Sequence, residues 1–433
     1  MHIRKNYVIY LIPVLVCILF CGCKKNEAVN IQDKGSHYLL SIDYTSGKTH
    51  YEIGKLAGLA LLKGVDNFEK RYDDFIALTA KEYGYPEQVT GTPEEHYRIF
   101  MSRVNDLKPL IPQTIKDEIE GVSSCLSGGA ADVMGDGRLS KNEYYFLNLI
   151  VEASENTECC AVSAFGSASK TGKTITARIM DWYIDTDKKE VEHLFGITEY
   201  IYRGFTLYSV GIVGHLGMIT GIRSNGIYAA ILFSRNNSPY SSAGKYSYSM
   251  DLRYAMEKYS TVAEIAEYMK SGSRNYTMDH NIFFTDKSKS IVLENDVQGG
   301  SGIQRKIRTW DSKLNDKVKW GFENRIAVVN SFILYGNDDN HTTVPGNQNR
   351  WVSLLRLMAE RKEPLSYNDM HAVITYYPGK KPGDFDEGGL YTEWTKQIMI
   401  FQPEDMSLEI FFSPKQGEVP LVPVFEKIEL RDN

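Results

Sequence analysis

The sequence has no block of basic residues and little excess charge of either sign. Its 49 Lys and Arg face 55 Asp and Glu, a formal net charge of −6 over 433 residues. A nucleic-acid binder needs a concentrated cationic footprint, and nothing here supplies one. Metal-ligand spacing is missing too: nine His and six Cys form neither a His-x-x-x-His nor a Cys-x-x-Cys pattern. No internal repeat or low-complexity tract is present, which sets aside solenoids and disordered tails. Long apolar runs are absent except for one at the N-terminus, which excludes a multi-span membrane protein. Hydrophobic residues make up 42% and charged residues 24%, ordinary for a globular chain. The length suits two or three average domains or one large α/β unit.

The single apolar run covers residues 7–20, broken only by Pro13 and preceded by Arg4 and Lys5. It is too short for a mature spanning helix and reads as a signal-peptide core. It ends in Leu19-Phe20-Cys21-Gly22-Cys23, with Lys24-Lys25 next. A small residue before a Cys at that place resembles the bacterial lipoprotein box, with Cys23 as the lipidated residue. The expectation is an exported, membrane-anchored chain on the periplasmic or cell-surface side. Residues 1–22 are the signal, and 23–36 are a polar tether. Loss of Arg4 and Lys5 leaves 47 basic against 55 acidic side chains, so the protein itself is not drawn to anionic lipid. Of the remaining cysteines, Cys125, Cys159 and Cys160 are an odd number, and adjacent Cys159 and Cys160 are poor partners. A free thiol outside the cytosol is a candidate reactive group.

Organisation changes near residue 158. Before it the pattern is helical. Residues 51–69 carry apolar side chains three and four apart, and Gly54 and Gly58 there suggest close helix packing. Thr92-Pro93-Glu94-Glu95 is a capping box with Pro at the first helical position, opening a helix to about Leu107. Further helices are expected over 114–125 and 142–153. After 158 the pattern is strand-rich. A hairpin is expected from 160–165 and 174–180 around the turn Lys170-Thr171-Gly172-Lys173. More strands are expected over 205–214, 226–233, 281–285, 290–294, 326–331, 397–401 and 408–412. Helices intervene at 261–270, with Thr261 and Glu264 at capping-box spacing, and at 350–360 and 367–376.

One motif in the helical part suggests calcium. Residues 132–143 match an EF-hand loop at positions one, five, six, nine and twelve, with Asp132, Asp136, Ser140 and Glu143 as the candidate oxygen ligands. Position three is Met134, which removes one ligand. The alternative is a plain polar loop.

The chemistry centres on Cys159, at the head of the expected hairpin. The second strand ends in Ala177-Arg178-Ile179-Met180-Asp181-Trp182, so Arg178 and Asp181 fall near the cysteine. A cation beside a thiol raises its thiolate fraction. Three later stretches add to the pattern: residues 211–221 (Gly-Ile-Val-Gly-His-Leu-Gly-Met-Ile-Thr-Gly), 326–330 ending in Asn330, and 349–357 containing Arg350. Together these resemble the cysteine branch of the N-terminal-nucleophile (Ntn) hydrolases, which includes acid ceramidase, N-acylethanolamine acid amidase, bile-salt and penicillin V hydrolases and penicillin acyltransferase. The resemblance covers about 159–433. That family has Asn where this chain has Ile179.

The resemblance implies an α+β fold, a four-layer α-β-β-α sandwich, with 159–433 as the catalytic core and 37–158 as a helical segment ahead of it. It implies self-cleavage between Glu158 and Cys159 into a two-chain heterodimer. The new α-amino group, with an ordinary pKa of about 8, would be general base to its own thiol. Asn330 would stabilise the oxyanion, Asp181 would fix the amino group, and Arg178 and Arg350 would orient the site. Asn236 is the candidate substrate contact. Cys160 is the alternative nucleophile, and a purely structural cysteine pair is a third reading. The substrate implied is a small N-acyl compound cut at a linear C–N amide bond, with no cofactor. Competing functions are acyl transfer on the same fold, a papain-like pair of a cysteine with His215 or His280, and a non-enzymatic lipoprotein binding calcium or a partner.

Overall fold

The computed structural model describes residues 28–83, 90–130, 132–154, 157–182, 189–234, 240–297, 304–337 and 344–431. Strands β1 (Val29–Asp33) and β2 (Tyr38–Asp43) come first. Helices α1 (His50–Gly64), α2 (Phe68–Lys81), α3 (Pro93–Leu107), α4 (Gln113–Ser123), α5 (Lys141–Asn148) and α6 (Ile150–Ser154) come next. The hairpin is β3 (Thr157–Ala164) and β4 (Ile175–Trp182). Then come β5 (Phe195–Tyr202), β6 (Phe205–Ile212), β7 (Thr220–Arg223), β8 (Ile227–Phe233), α7 (Tyr248–Lys258) and α8 (Val262–Lys270). Strands β9 (His280–Thr285), β10 (Ser290–Asp296), β11 (Gln304–Arg308) and β12 (Arg325–Val328) precede α9 (Pro345–Glu360) and α10 (Tyr367–Ile374). Strands β13 (Thr395–Gln402), β14 (Ser407–Phe412) and β15 (Glu426–Glu429) end the chain.

The strands make two sheets. One has nine strands in the order β1-β2-β5-β6-β7-β8-β9-β10-β11, and the other six in the order β12-β3-β4-β13-β14-β15. Side chains alternate across a strand, and this sorts the six-stranded sheet into two faces. Cys159, Ala161, Met180, Met399 and Phe401 share a core with the nine-stranded sheet. Cys160, Val162, Ala177, Ile179, Ile398 and Ile400 pack with Trp351, Leu354 and Leu357 of α9 and Met370 and Val373 of α10. The outer face of the nine-stranded sheet carries α7 and α8. A Cβ at Gly221 of β7 would overlap the Met256 sulfur of α7. The expected four-layer α-β-β-α order is therefore the one observed.

The segment before residue 158 is not a separate helical unit. β2 pairs in parallel with β5, in register from Tyr38 with Gly196 to Asp43 with Ile201, and β1 extends the same sheet. The tether reading of 23–36 is corrected accordingly, because Val29–Asp33 is a ladder strand. Only its start, with Cys23, lies outside the described residues. Helices α1 and α4 approach backbone to backbone. A Cβ at Gly54 would strike the Glu118 carbonyl, and one at Gly121 would strike the Tyr51 carbonyl. Buried Glu118 of α4 forms an ion pair with Arg253 of α7 at 2.7 Å and pairs with His50 at 2.6 Å. Burial alone would raise the Glu118 pKa, but Arg253, His50 and Tyr44 outweigh it and hold it below the usual carboxylate range. No helix among the described residues is long and apolar enough to cross a membrane.

Candidate active site

The hairpin register places the site. β3 and β4 pair antiparallel over eight residues each, with Cys159 opposite Met180, Ala161 opposite Arg178 and Glu158 opposite Asp181. Opposed residues in a ladder point to the same face. Cys159 and Arg178 therefore lie on the face toward the nine-stranded sheet. Glu158, Cys160 and Asp181 lie on the face toward α9.

On the inter-sheet face, Arg178 Nη2 donates to Cys159 Sγ at 3.1 Å and to the Ile231 carbonyl of β8 at 3.3 Å. The guanidinium is fully buried, and its Nε and Nη1 have no hydrogen-bond partner. Burial pushes the Cys159 thiol up to about 11 against the opposing pull of Arg178. Cys160 points away from Arg178, into the apolar cluster under α9, and burial takes it to about 12. Alternation along one strand thus separates the two thiols: Cys159 takes a hydrogen bond from Arg178, while at Cys160 it is Arg350 that pulls against burial. Both are free, as is Cys125.

On the other face, Arg350 of α9 is buried and gathers the polar groups around the Glu158–Cys159 peptide. Its Nη2 lies 2.7 Å from Glu158 Oε2, 3.0 Å from Asn330 Oδ1 and 2.5 Å from Asn347 Oδ1. Its Nη1 donates to the Cys159 carbonyl at 3.3 Å and stands 3.7 Å from Asp181 Oδ2. Asn330 Oδ1 also accepts the Cys159 N–H at 2.7 Å, and Asn330 Nδ2 donates to the Phe233 carbonyl at 2.6 Å. Thr395 donates to Asp181 Oδ1 at 2.7 Å, whereas Asp181 Oδ2 is buried without a hydrogen-bond donor. Burial raises the Asp181 carboxyl to about 7, against the pull of Arg350.

Of the residues named from sequence, Glu158, Cys159, Arg178, Asp181, Asn330 and Arg350 come together here. Asn236 and Cys23 lie outside the described residues. The expected oxyanion role of Asn330 needs an amide N–H, and Nδ2 gives one of its two to the Phe233 carbonyl. Sequence reasoning missed Asn347, Thr395, Asn281 and Tyr228. Asn347 sits one helical turn before Arg350. Asn281 Nδ2 donates to the carbonyls of Val329 and Ser331 on either side of Asn330, fixing that bend. The buried Tyr228 hydroxyl has no hydrogen-bond partner and senses both Arg178 and Cys159.

Two expectations are corrected. The calcium ligands are not assembled. Glu143 spends its oxygens on the Ser140 N–H in a helix capping box and on the Tyr97 hydroxyl. Asp132 accepts from Ser140 and Asn142, and Asp136 accepts from the Arg138 N–H. No group of three or more His, Cys, Asp or Glu able to hold a metal occurs among the described residues. The papain-like pair is not formed among them either. His280 uses both ring nitrogens on the Met278 carbonyl and Asn295, and His215 Nε2 has no partner. Burial lowers them to about 3 and about 4, respectively.

No family model matches the chain, and neither does any curated protein. The chain is similar to solved structures of an acid amidase, a bile acid hydrolase and a penicillin acylase. An N-acylethanolamine-hydrolyzing acid amidase ortholog from Caenorhabditis elegans is 13% identical, with a TM-score of 0.42, over 59% of this chain and 100% of that one. A conjugated bile acid hydrolase mutant from Clostridium perfringens is 12% identical, with a TM-score of 0.35, over 63% and 97%. Penicillin V acylase from Agrobacterium tumefaciens is 12% identical, with a TM-score of 0.34, over 63% and 86%.

Proposed function

We propose that the protein is a cysteine amidase that activates itself by cutting the Glu158–Cys159 peptide, and that it is exported and lipid-anchored through Cys23. The observation that carries the catalytic part is Arg178 Nη2 at 3.1 Å from Cys159 Sγ, on the strand face that Cys160 does not share. In self-cleavage the Cys159 sulfur attacks the Glu158 carbonyl carbon, and the acyl group passes from nitrogen to sulfur. Water then hydrolyses the thioester. Its products are the Glu158 carboxylic acid and a free Cys159 thiol and α-amino group.

The freed amino group gains N–H donors at the place where one N–H now meets Asn330 Oδ1. Asp181 Oδ2, an acceptor without a donor in the uncut chain, sits opposite Glu158 in the ladder and is the group to receive them. Arg178 and Arg350 both favour the neutral amine, the form that accepts the thiol proton. For a substrate, the thiolate attacks the amide carbonyl and the ammonium protonates the leaving amine. Water then releases the acid. Each donor aimed at the oxyanion is worth roughly 3–4 kcal/mol. The Tyr228 hydroxyl and the Nε and Nη1 N–H groups of Arg178 are buried donors without partners on this side of the site.

The test is intact-mass spectrometry of wild type beside Cys159→Ala. Two wild-type chains, the second starting at Cys159, with the variant whole, support the reading. A wild type that stays whole and a thiol that no acyl electrophile labels refute it and leave a binding lipoprotein. Whether an amine outcompetes water for the thioester separates acyl transfer from hydrolysis.

A further inference from the structure

Strand β12 stops short of the cut site. Its ladder with β3 pairs Arg325 with Ala164 through to Val328 with Ala161, and ends there. Two positions further along β3, the buried Cys159 N–H still requires an acceptor. The Asn330 side chain takes the place of the missing strand, with Oδ1 at 2.7 Å from the Cys159 nitrogen. Its neighbours decide which way that amide faces. Two donors, the Cys159 N–H and Arg350 Nη2, meet Oδ1, and one acceptor, the Phe233 carbonyl, meets Nδ2.

A side chain can stand in for a strand only if the backbone that carries it is held. Here that backbone is a bend, closed by the Ser331 N–H on the Val329 carbonyl at 2.8 Å. Three successive carbonyls of the bend accept from two asparagines. Asn281 Nδ2, from β9 in the nine-stranded sheet, lies 3.3 Å from the Val329 oxygen and 3.2 Å from the Ser331 oxygen. Asn347 Nδ2, from the first turn of α9, lies 3.0 Å from the Asn330 oxygen. Asn347 Oδ1 also accepts from Arg350 Nη2, the donor that meets Asn330 Oδ1. One amide thus ties the bend to the guanidinium that touches the side chain it carries. Both asparagines are fully buried. A buried amide is costly wherever packing alone is required, because an apolar side chain fills the same space without desolvating a polar group.

We propose that Asn281 and Asn347 are positioning residues, which act through Asn330 to hold its Oδ1 on the Cys159 nitrogen. That nitrogen belongs to the scissile amide before the cut and is the α-amino group after it. The proposal rests on the self-cleaving amidase reading. It adds to that site two residues from opposite sides of the six-stranded sheet, one in the facing sheet and one in the helix beyond.

Asn281→Leu and Asn347→Leu keep the size of the side chain and remove the amide. Each is expected to slow the conversion of one chain to two by about tenfold or more, the size of two lost hydrogen bonds. In an Asn330→Ala chain, already slow, neither should slow it further, because the group they position is gone. Residues that serve packing alone would multiply their effect with that of Asn330→Ala. A second readout needs no cutting. In the uncut Cys159→Ala chain, both leucine variants should speed hydrogen exchange at the residue 159 amide. The stretch from Val162 to Ala164, paired with a strand on each side, should keep its protection. If Asn330→Ala does not cut at all, exchange at residue 159 decides. A wild type that cuts, with leucine variants that cut at its rate, multiply with Asn330→Ala or leave exchange at residue 159 unchanged, overturns this inference alone. Exchange that rises along the whole of β3 marks a packing role and overturns it too. A wild type that never cuts and a Cys159 that never reacts overturn the amidase reading and this inference with it.

Discussion

Replacing Arg178 by Met removes the cation at the thiol while keeping a side chain of similar length. Arg178 Nη2 lies 3.1 Å from Cys159 Sγ, and both groups are buried. At an effective dielectric of about 20, unit charges about 4 Å apart attract by about 4 kcal/mol. Each pKa step corresponds to about 1.4 kcal/mol. Losing that attraction raises the thiol pKa by roughly 2 to 3, from a value that burial has already pushed to about 11. The sign is unambiguous: fewer thiolates at any given pH, hence slower attack on the Glu158 carbonyl. The conversion of full-length chain to two chains, tracked on denaturing gels from pH 5 to 9, should slow by roughly 10²- to 10³-fold. Arg178→Lys keeps a charge but loses the planar fork, and should fall in between. Peptide-level alkylation of Cys159 must show the same order. If Arg178→Met cuts itself and alkylates at wild-type rates across this range, the cation does not activate the thiol.

Cys160→Ala should leave self-cleavage at Cys159 intact, because that thiol faces the apolar cluster under α9; a cut lost with Cys160 on mass spectrometry would reassign the nucleophile. Glu118→Gln in a Cys159→Ala background, which stays whole, should cost about 1–3 kcal/mol in urea unfolding, since it takes from buried Arg253 one of its two carboxylate partners and leaves Glu257. A loss below about 1 kcal/mol would make the pair incidental. Asp181 has a folded pKa raised to about 7, so its proton is held more tightly folded than unfolded. Its contribution to stability therefore falls as pH rises from about 4 to 7. Asp181→Asn, in the same uncut background, should flatten the stability profile over that window, and an unchanged slope in pH-dependent unfolding would refute the assignment.

The part of the site that lies on one hairpin was legible in the sequence. Nineteen positions separate Cys159 from Arg178, and a short turn between two strands brings such residues to one face. What could not be read is the meeting of segments far apart in the chain. Thr395 reaches Asp181, and Asn347 reaches Arg350 and Asn330, only because one sheet lies between another sheet and α9. Neither carries a local spacing signal. Strands β1 and β2 differ in how readable they are. Val29–Asp33 is short and polar, but Tyr38–Asp43 alternates buried and half-buried residues with a period of two, and that signal was available. The EF-hand spacing is real as spacing. The helix-opening hydrogen bonds of Ser140 and Glu143 use the same oxygens that calcium would need.

The parallel pairing of β2 with β5 joins residues on either side of the proposed cut within one sheet. The uncut chain folds as a single molecule, and its folding midpoint does not depend on how much protein is in the tube. Once residue 158 is severed from 159, the same ladder becomes an interface between two polypeptides, and unfolding also separates them. Dilution then becomes a denaturant, because reassembly requires the two halves to find each other. The cut form inherits a geometry that the intact chain built, and it holds that geometry as a record of its own synthesis.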